Sequence, residues 1–269
     1  MRRRTITVSD EHEDDFGVAS RHVNQRVVDE TYPYIRRNPL WRLASTLLYY
    51  VIGPIPVWLI SKMYGMKIVN RSAIRKAGGC YAYANHTHWT DVLIPYLLAF
   101  PKRAYIVAGP TAVSVPVAKH LVPMVGGIPL NETVAGKAHF RQALDRAVQR
   151  GGLVAIFPEA HVWPYFNGIR DFSSASFTYP VRCSSPVVGY VVTYRRRRWL
   201  TMRPPRPTVT VGEPILPETW AGEPDPKQLL RDKVFQFMSE TARTKKSYAW
   251  VNYTKLDGPA PGHGGSISG

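Results

Sequence analysis

Cysteine is almost absent from this chain: Cys80 and Cys183 are the only two in 269 residues. Two thiols, both in apolar surroundings, exclude a disulfide framework as the organising device and make a reducing compartment the simpler expectation. A secretory leader is not expected either. The opening MRRRTITVSDEHEDD follows its arginines with polar and acidic residues rather than the apolar core that export requires, so the chain is expected to stay inside the cell. Acidic residues are scarce, 19 against 35 Lys and Arg, which leaves a formal net charge of +16. That imbalance draws the molecule to polyanions but does not choose between anionic lipid and nucleic acid. No internal repeat is visible, which removes repeat architectures from consideration.

What is present is a globular composition, 45% hydrophobic and 20% charged, in a chain long enough to bury one sizeable α/β core. The longest uncharged stretch, LASTLLYYVIGPIPVWLIS, lies between Arg42 and Lys62. A proline inside a helix costs about 3 kcal/mol, so Gly53-Pro54-Ile55-Pro56 is expected to break the stretch into two arms of about 15 Å, against a hydrocarbon core of about 30 Å. Arg36, Arg37 and Arg42 precede it and Lys62 and Lys67 follow, which suits two ends on one face of a membrane. Residues 36–66 therefore read as a helix-break-helix hairpin dipping into one leaflet from the cytoplasmic side, peripheral or monotopic. Trp41, Tyr49, Tyr50, Trp58 and Tyr64 would sit at headgroup depth. A buried core hairpin is the alternative.

Beyond residue 78 strands and helices alternate. Cys80 to Ala84 is a short apolar run bounded by Gly78-Gly79 and Asn85, the pattern of a buried strand. Further runs stand at Ala104 to Val107, Gly127 to Leu130, Leu153 to Phe157, Val187 to Thr193 and Thr208 to Val211. Phe140, Ala143, Leu144, Ala147 and Val148 recur at helical spacing before the stop Gly151-Gly152. Asp225-Pro226 opens a closing helix whose Leu230, Val234, Phe237 and Met238 share a face. The order predicts one α/β domain over residues 67–257, a central β-sheet flanked by helices. A polar segment (1–35) precedes the hairpin, and a Gly/Pro/Ser tail (258–269) is disordered by composition.

The residues suited to chemistry stand where the first strand ends, in Asn85-His86-Thr87-His88-Trp89-Thr90-Asp91. In a continuous helix, side chains five apart point about 140° away from each other, so His86 can meet Asp91 only from a loop entering a helix. Thr90-Asp91 before VLIPYLLAF supplies that start. The carboxylate can then accept one imidazole N–H and leave the other nitrogen free to take a proton. This is a base without a nucleophile, so a substrate hydroxyl would have to attack. A structural hydrogen bond between the two is the other reading of the pair alone.

A second constellation, Ile156-Phe157-Pro158-Glu159, ends another predicted strand and can face His86 across the same edge. With Gly126-Gly127-Ile128-Pro129-Leu130 before it and Ser185-Pro186-Val187-Val188-Gly189 after it, the chain resembles the glycerolipid acyltransferases related to 1-acylglycerol-3-phosphate acyltransferase. Their signature is Asn-His, four residues and Asp, then a glycine-led strand, then Phe-Pro-Glu. The resemblance runs from about Tyr64 to Ile215, and four ordered blocks are far more specific than any one. It implies a mixed sheet, an N-terminal membrane-docking element, and direct acyl transfer from acyl-CoA or acyl carrier protein to a lipid hydroxyl without a metal or other cofactor. His86 would be the general base, Asp91 its partner, and Glu159 would help orient the acceptor. Gly127, Phe157 and Pro158 belong to the substrate-binding blocks.

Two departures bear on the acceptor. The third block usually continues Gly-Thr-Arg, where this chain has Ala160-His161-Val162, and the family's phosphate-binding arginine in the second block falls on Glu132. The stretch from His161 through Trp163, Tyr165 and Phe166 to Arg170 is therefore expected to form a differently shaped acceptor site, better suited to a masked phosphate or a glycolipid hydroxyl than to lysophosphatidic acid. Two rivals use the same residues. His86, His88, Asp91 and His161 could be ligands of a metal-dependent hydrolase, although no third ligand follows in the order such enzymes use. Arg195-Arg196-Arg197-Arg198 with Trp199 could mark a basic, non-enzymatic binder of lipid or nucleic acid. No nucleic-acid motif accompanies the run, so anionic membrane is the expected partner.

Overall fold

Alternation along one strand sets the centre of the fold. All five residues of Cys80–Ala84 are buried, with Cys80, Ala82 and Ala84 packed into one apolar cluster and Tyr81 and Tyr83 into another. A strand covered on both faces must lie inside a sheet with helices above and below. The computed structural model, which describes residues 4–8, 16, 28–114, 118–131, 133–198 and 202–255, has that architecture.

The strands are β1 (Arg4–Val8), β2 (Lys67–Val69), β3 (Cys80–Ala84), β4 (Ala104–Ala108), β5 (Gly127–Pro129), β6 (Leu153–Ile156), β7 (Val187–Arg195), β8 (Arg206–Val211) and β9 (Val251–Lys255). Seven form one sheet in the order β2-β8-β7-β3-β6-β4-β5, parallel except for the antiparallel β7/β8 pair. In register, Tyr81 lies opposite Val154 on one side and Val187 on the other. The fold is mixed α/β, as the resemblance implies. β1 pairs in parallel with β9 as a separate two-stranded sheet, so part of the polar N-terminal segment is a strand.

The helices are α1 (Pro39–Leu47), α2 (Pro54–Tyr64), α3 (Ser72–Ala77), α4 (Ile94–Ala99), α5 (Ala118–Met124), α6 (Val134–Gln149), α7 (Thr178–Arg182) and α8 (Pro226–Thr244). α3 and α4 cover one face; α6 and α8 cover the other with Phe140, Leu144, Leu230, Val234 and Met238. The predicted cap of the closing helix is in place, the Asp225 carboxylate accepting from Gln228 N at 3.1 Å.

The apolar segment differs from the expected hairpin. α1 and α2 join through a π-helical turn, Leu48–Ile52, and Gly53 keeps helical angles (φ −61°, ψ −36°), so Pro39–Tyr64 is one helical run of 26 residues. The reason lies in the hydrogen bonds. Gly53 N–H reaches back five residues to Leu48 O at 2.7 Å, and this widened turn accommodates proline rings that would clash in an α-helix. By length and composition the run could cross a bilayer, yet it lies along the domain. Ser45 Oγ donates to Met124 O at 2.7 Å, Tyr49 is buried with its hydroxyl accepting from Ala104 N at 2.7 Å, and the Tyr64 ring stands 5.3 Å from His88. Its outer face, Leu40, Leu43, Leu47, Val51, Ile55 and Met63, is exposed.

Candidate active site

At the end of β3 the chain leaves the sheet through Asn85, which is buried and behaves like one more strand residue. Its side chain donates to Val192 O at 3.0 Å and accepts from Val192 N at 2.8 Å, so the ladder with β7 is completed while the backbone turns away. The loop that follows closes on Asp91. Its Oδ2 accepts from Thr87 N at 2.6 Å and His88 N at 2.8 Å, and lies 3.2 Å from His86 Nδ1. The carboxylate is 1% exposed, the His86 side chain 14%. The two backbone donors fix the carboxylate, which then favours the Nδ1–H tautomer of His86 and leaves Nε2 able to accept a proton. Phe157 stacks on the His86 ring at 4.4 Å between centroids and 20° between planes. The expected helix start shifts: His88, not Thr90, is the cap, and residues Trp89–Leu93 form a 3-10 turn before α4. Pro95 then falls in the first turn of α4, where its missing N–H breaks no helical hydrogen bond.

Glu159 and Arg170 are placed differently from an acceptor-binding pair. Glu159 is 6% exposed, and its carboxylate accepts from Arg170 N (3.1 Å), Arg170 Nη2 (3.2 Å) and His86 N (3.3 Å). Burial pushes its pKa up, and the Arg170 guanidinium opposes that rise. Arg170 also donates to His161 O and lies over the Trp163 ring. The pair is a buried strut between the β6 end and the His86 backbone. Trp163, read as an acceptor contact, is buried too, stacked on Tyr253 at 5.0 Å. Its N–H and that of Tyr165 donate to His86 O (3.1 Å) and Thr87 O (2.9 Å), clamping the histidine loop from the other side. Ala160, where the family carries glycine, takes φ 62°, a conformation that costs a side-chain-bearing residue about 1–2 kcal/mol. His161 is partly exposed and Pro158 follows Phe157 on the same turn. Glu132, Trp199 and the tail from 258 lie outside the described residues.

His88 is not aimed at a shared ion. Its Nδ1 faces Thr90 Oγ1 at 2.8 Å, its ring sits among Tyr64, Trp89 and Tyr165, and burial lowers its pKa. Among the described residues no three His, Cys, Asp or Glu side chains converge as metal ligands would, which leaves the hydrolase alternative without a ligand set there.

Gly126 and Gly127 serve close approach. Gly126 has φ 101°, and a Cβ there would lie 2.2 Å from Ala104 O; one on Gly127 would lie 2.2 Å from Val122 Cγ1. Between β4, β5 and the long helix this leaves an apolar cavity of about 270 Å³, lined among others by Tyr49, Val57, Val92, Ile106, Ala108 and Gly127. Val92 follows Asp91 directly, so the cavity reaches the active-site turn.

The chain is similar to known acyltransferases over the stretch that carries this site. The Acyltransferase family model matches residues 65–193. A solved structure, the 1-acyl-sn-glycerophosphate (LPA) acyltransferase PlsC from Thermotoga maritima, superposes with a TM-score of 0.51 at 16% identity, covering 78% of this chain and 95% of that one. No curated protein matches. Residues 65–193 hold both the His86/Asp91 pair and the Phe157-Pro158-Glu159 turn, so this chain carries an acyltransferase domain and is an acyltransferase enzyme.

Proposed function

We propose that the protein moves a fatty acyl group from an acyl-CoA or acyl carrier protein thioester onto a hydroxyl of a lysophospholipid or related lipid at the cytoplasmic face of a membrane. The observation that carries the reading is the 3.2 Å approach of His86 Nδ1 to a buried Asp91 carboxylate. The acceptor hydroxyl gives its proton to His86 Nε2 as its oxygen attacks the thioester carbonyl. The C–S bond then breaks, and the imidazolium returns the proton to the leaving thiolate. Asp91 favours the imidazolium formed between these steps. Glu159 and Arg170 act as positioning residues that hold the His86 backbone. The apolar cavity beside Val92 is the natural seat for the acyl chain, and Gly127 keeps its wall thin.

Membrane docking rests on the outer face of the 39–64 helix. Leu43, Val51, Ile55, Trp58 and Met63 are exposed along a helix held to the domain at Ser45, Tyr49 and Tyr64, an arrangement that fits lying in one leaflet rather than crossing it. The acceptor reading follows from Glu132 and Val162 in place of two arginines, now with Arg170 committed to Glu159. Two lost charged hydrogen bonds lower affinity for a phosphomonoester by about a hundredfold or more. The test is a panel of acceptors with one labelled acyl-CoA, the products identified by mass spectrometry. We expect a higher kcat/KM for lysophospholipids with a masked phosphate, or for glycolipids, than for lysophosphatidic acid. Absence of any labelled lipid from a total extract with either donor class would remove the reading.

A further inference from the structure

A second cavity, about 340 Å³, opens at the far end of the sheet from His86. Its walls include Arg103, which precedes β4, Gly126, which precedes β5, and Arg146 and Arg150 at the end of α6. β3, β4, β5 and β6 run parallel, so these residues mark the N-terminal strand ends, whereas His86 and Glu159 follow the C-terminal ends. Among the described residues, five arginines line it, Arg36, Arg42, Arg103, Arg146 and Arg150, and no Asp or Glu does. Among the described residues none of the five forms an ion pair. The Nε–H groups of Arg36 and Arg103 are buried and find no acceptor among the described residues. Arg103 spends its Nη2 on Ser45 Oγ and Met124 O and lies over the Tyr49 ring, contacts that orient the guanidinium without neutralising it.

Five like charges around one cavity repel each other, and a buried N–H without a partner costs folding free energy, so the arrangement is stabilised by whatever brings negative charge and acceptor oxygens. Guanidinium forks match the oxygens of a phosphate in pairs, which a carboxylate-free, arginine-lined wall is suited to exploit. We propose that this cavity binds a phosphate-bearing anion, separately from the acyl-transfer site. Its mouth includes Trp41, Arg42 and Thr46, interleaved with the exposed Leu40, Leu43 and Leu47 of the docking helix. The headgroup of a leaflet phospholipid is therefore one source of the phosphate, and a soluble phosphate compound is the other.

The experiment uses the full chain and two charge-matched triple variants. One replaces cavity arginines whose side chains are exposed (Arg42→Glu, Arg146→Glu, Arg150→Glu); the other replaces exposed arginines beyond β7 (Arg196→Glu, Arg198→Glu, Arg203→Glu). Binding of inorganic pyrophosphate is read by calorimetry and by the rise in Tm. Vesicle binding is read by flotation with phosphatidylcholine alone and with added phosphatidic acid. The cavity variant should lose pyrophosphate affinity by about a hundredfold or more while the control keeps it. Loss of the phosphatidic-acid-dependent flotation as well assigns the site to a lipid headgroup; flotation unchanged assigns it to a soluble phosphate. Equal losses in both variants, or undiminished binding in the cavity variant, overturn the proposal. Should the cavity variant fail to fold, Arg42→Gln with Arg150→Gln is read against the same outcomes.

Discussion

His86 takes its direction from three neighbours: Asp91 at Nδ1, Phe157 under the ring, and Glu159 on its backbone N–H. Replacing it with alanine leaves this scaffold intact, so His86→Ala should lower kcat by about 10²- to 10⁴-fold with an unchanged urea midpoint. Asp91→Asn should lose less, because an amide oxygen can still accept from the loop, but it should also narrow the pH range of activity. Full turnover by a folded His86→Ala protein would end the general-base mechanism. His88 gives a pH prediction of the opposite kind. Its folded pKa is lowered by burial, so the unfolded chain takes up that proton first as the pH falls. The contribution of neutral His88 to stability is present above its unfolded value of about 6.5 and is lost as the pH falls below it toward the folded pKa. His88→Gln should flatten that acid-side decline in chemical denaturation; an unaltered slope would show that other groups cause it. At this scale the sequence was half legible. His86, Asp91 and the Phe157 turn are short-range patterns with a stated geometry. The Glu159–Arg170 strut joins residues eleven apart across irregular backbone, and no period announces it.

Among the elements, strands buried on both faces were the easiest to read. Cys80–Ala84 has the boundaries its glycines and Asn85 suggest, and the Asp225 cap starts α8 where proline permits. β1 and β9 escaped because two five-residue strands from opposite ends of the chain carry no local signal of their pairing. The long helix departs from the expected hairpin at its centre for a definite reason. The cost of proline is a cost against α geometry, and the π turn at Leu48–Ile52 is another way to satisfy the same carbonyls. A continuous helix with one face on the domain makes a sharper prediction than a hairpin. Leu43→Glu, Ile55→Glu and Met63→Glu change exposed positions only, so together they should abolish flotation with vesicles while leaving Tm within a few degrees. Retained flotation at high salt would place the anchor elsewhere.

For the whole molecule, the net charge of +16 is distributed with consequence rather than spread evenly, since five arginines converge on one cavity and others gather on the turn after β7. Composition announced the total but could not show the convergence, which joins residues from Arg36 to Arg150 through tertiary contacts. The sheet's outer margins carry a different consequence. β2 and β5, the edge strands of the seven-stranded sheet among the described residues, are each three residues long. Just after β5, Leu130 N–H turns inward to Ala108 O at 2.8 Å, so by alternation the neighbouring position, Pro129, faces the open side and has no N–H to offer there. Tyr34 Oη donates to the Pro129 carbonyl at 2.9 Å and occupies its acceptor. A protein concentrated on a two-dimensional surface meets its own copies far more often than one in bulk solution, and a bare margin would template strand addition between them. Pro129→Thr with Tyr34→Phe should therefore leave monomers stable in dilute solution yet promote assemblies on vesicles, visible as slowed lateral diffusion of a labelled protein. Diffusion unchanged at high surface density would mean that crowding on the bilayer needs no such guard.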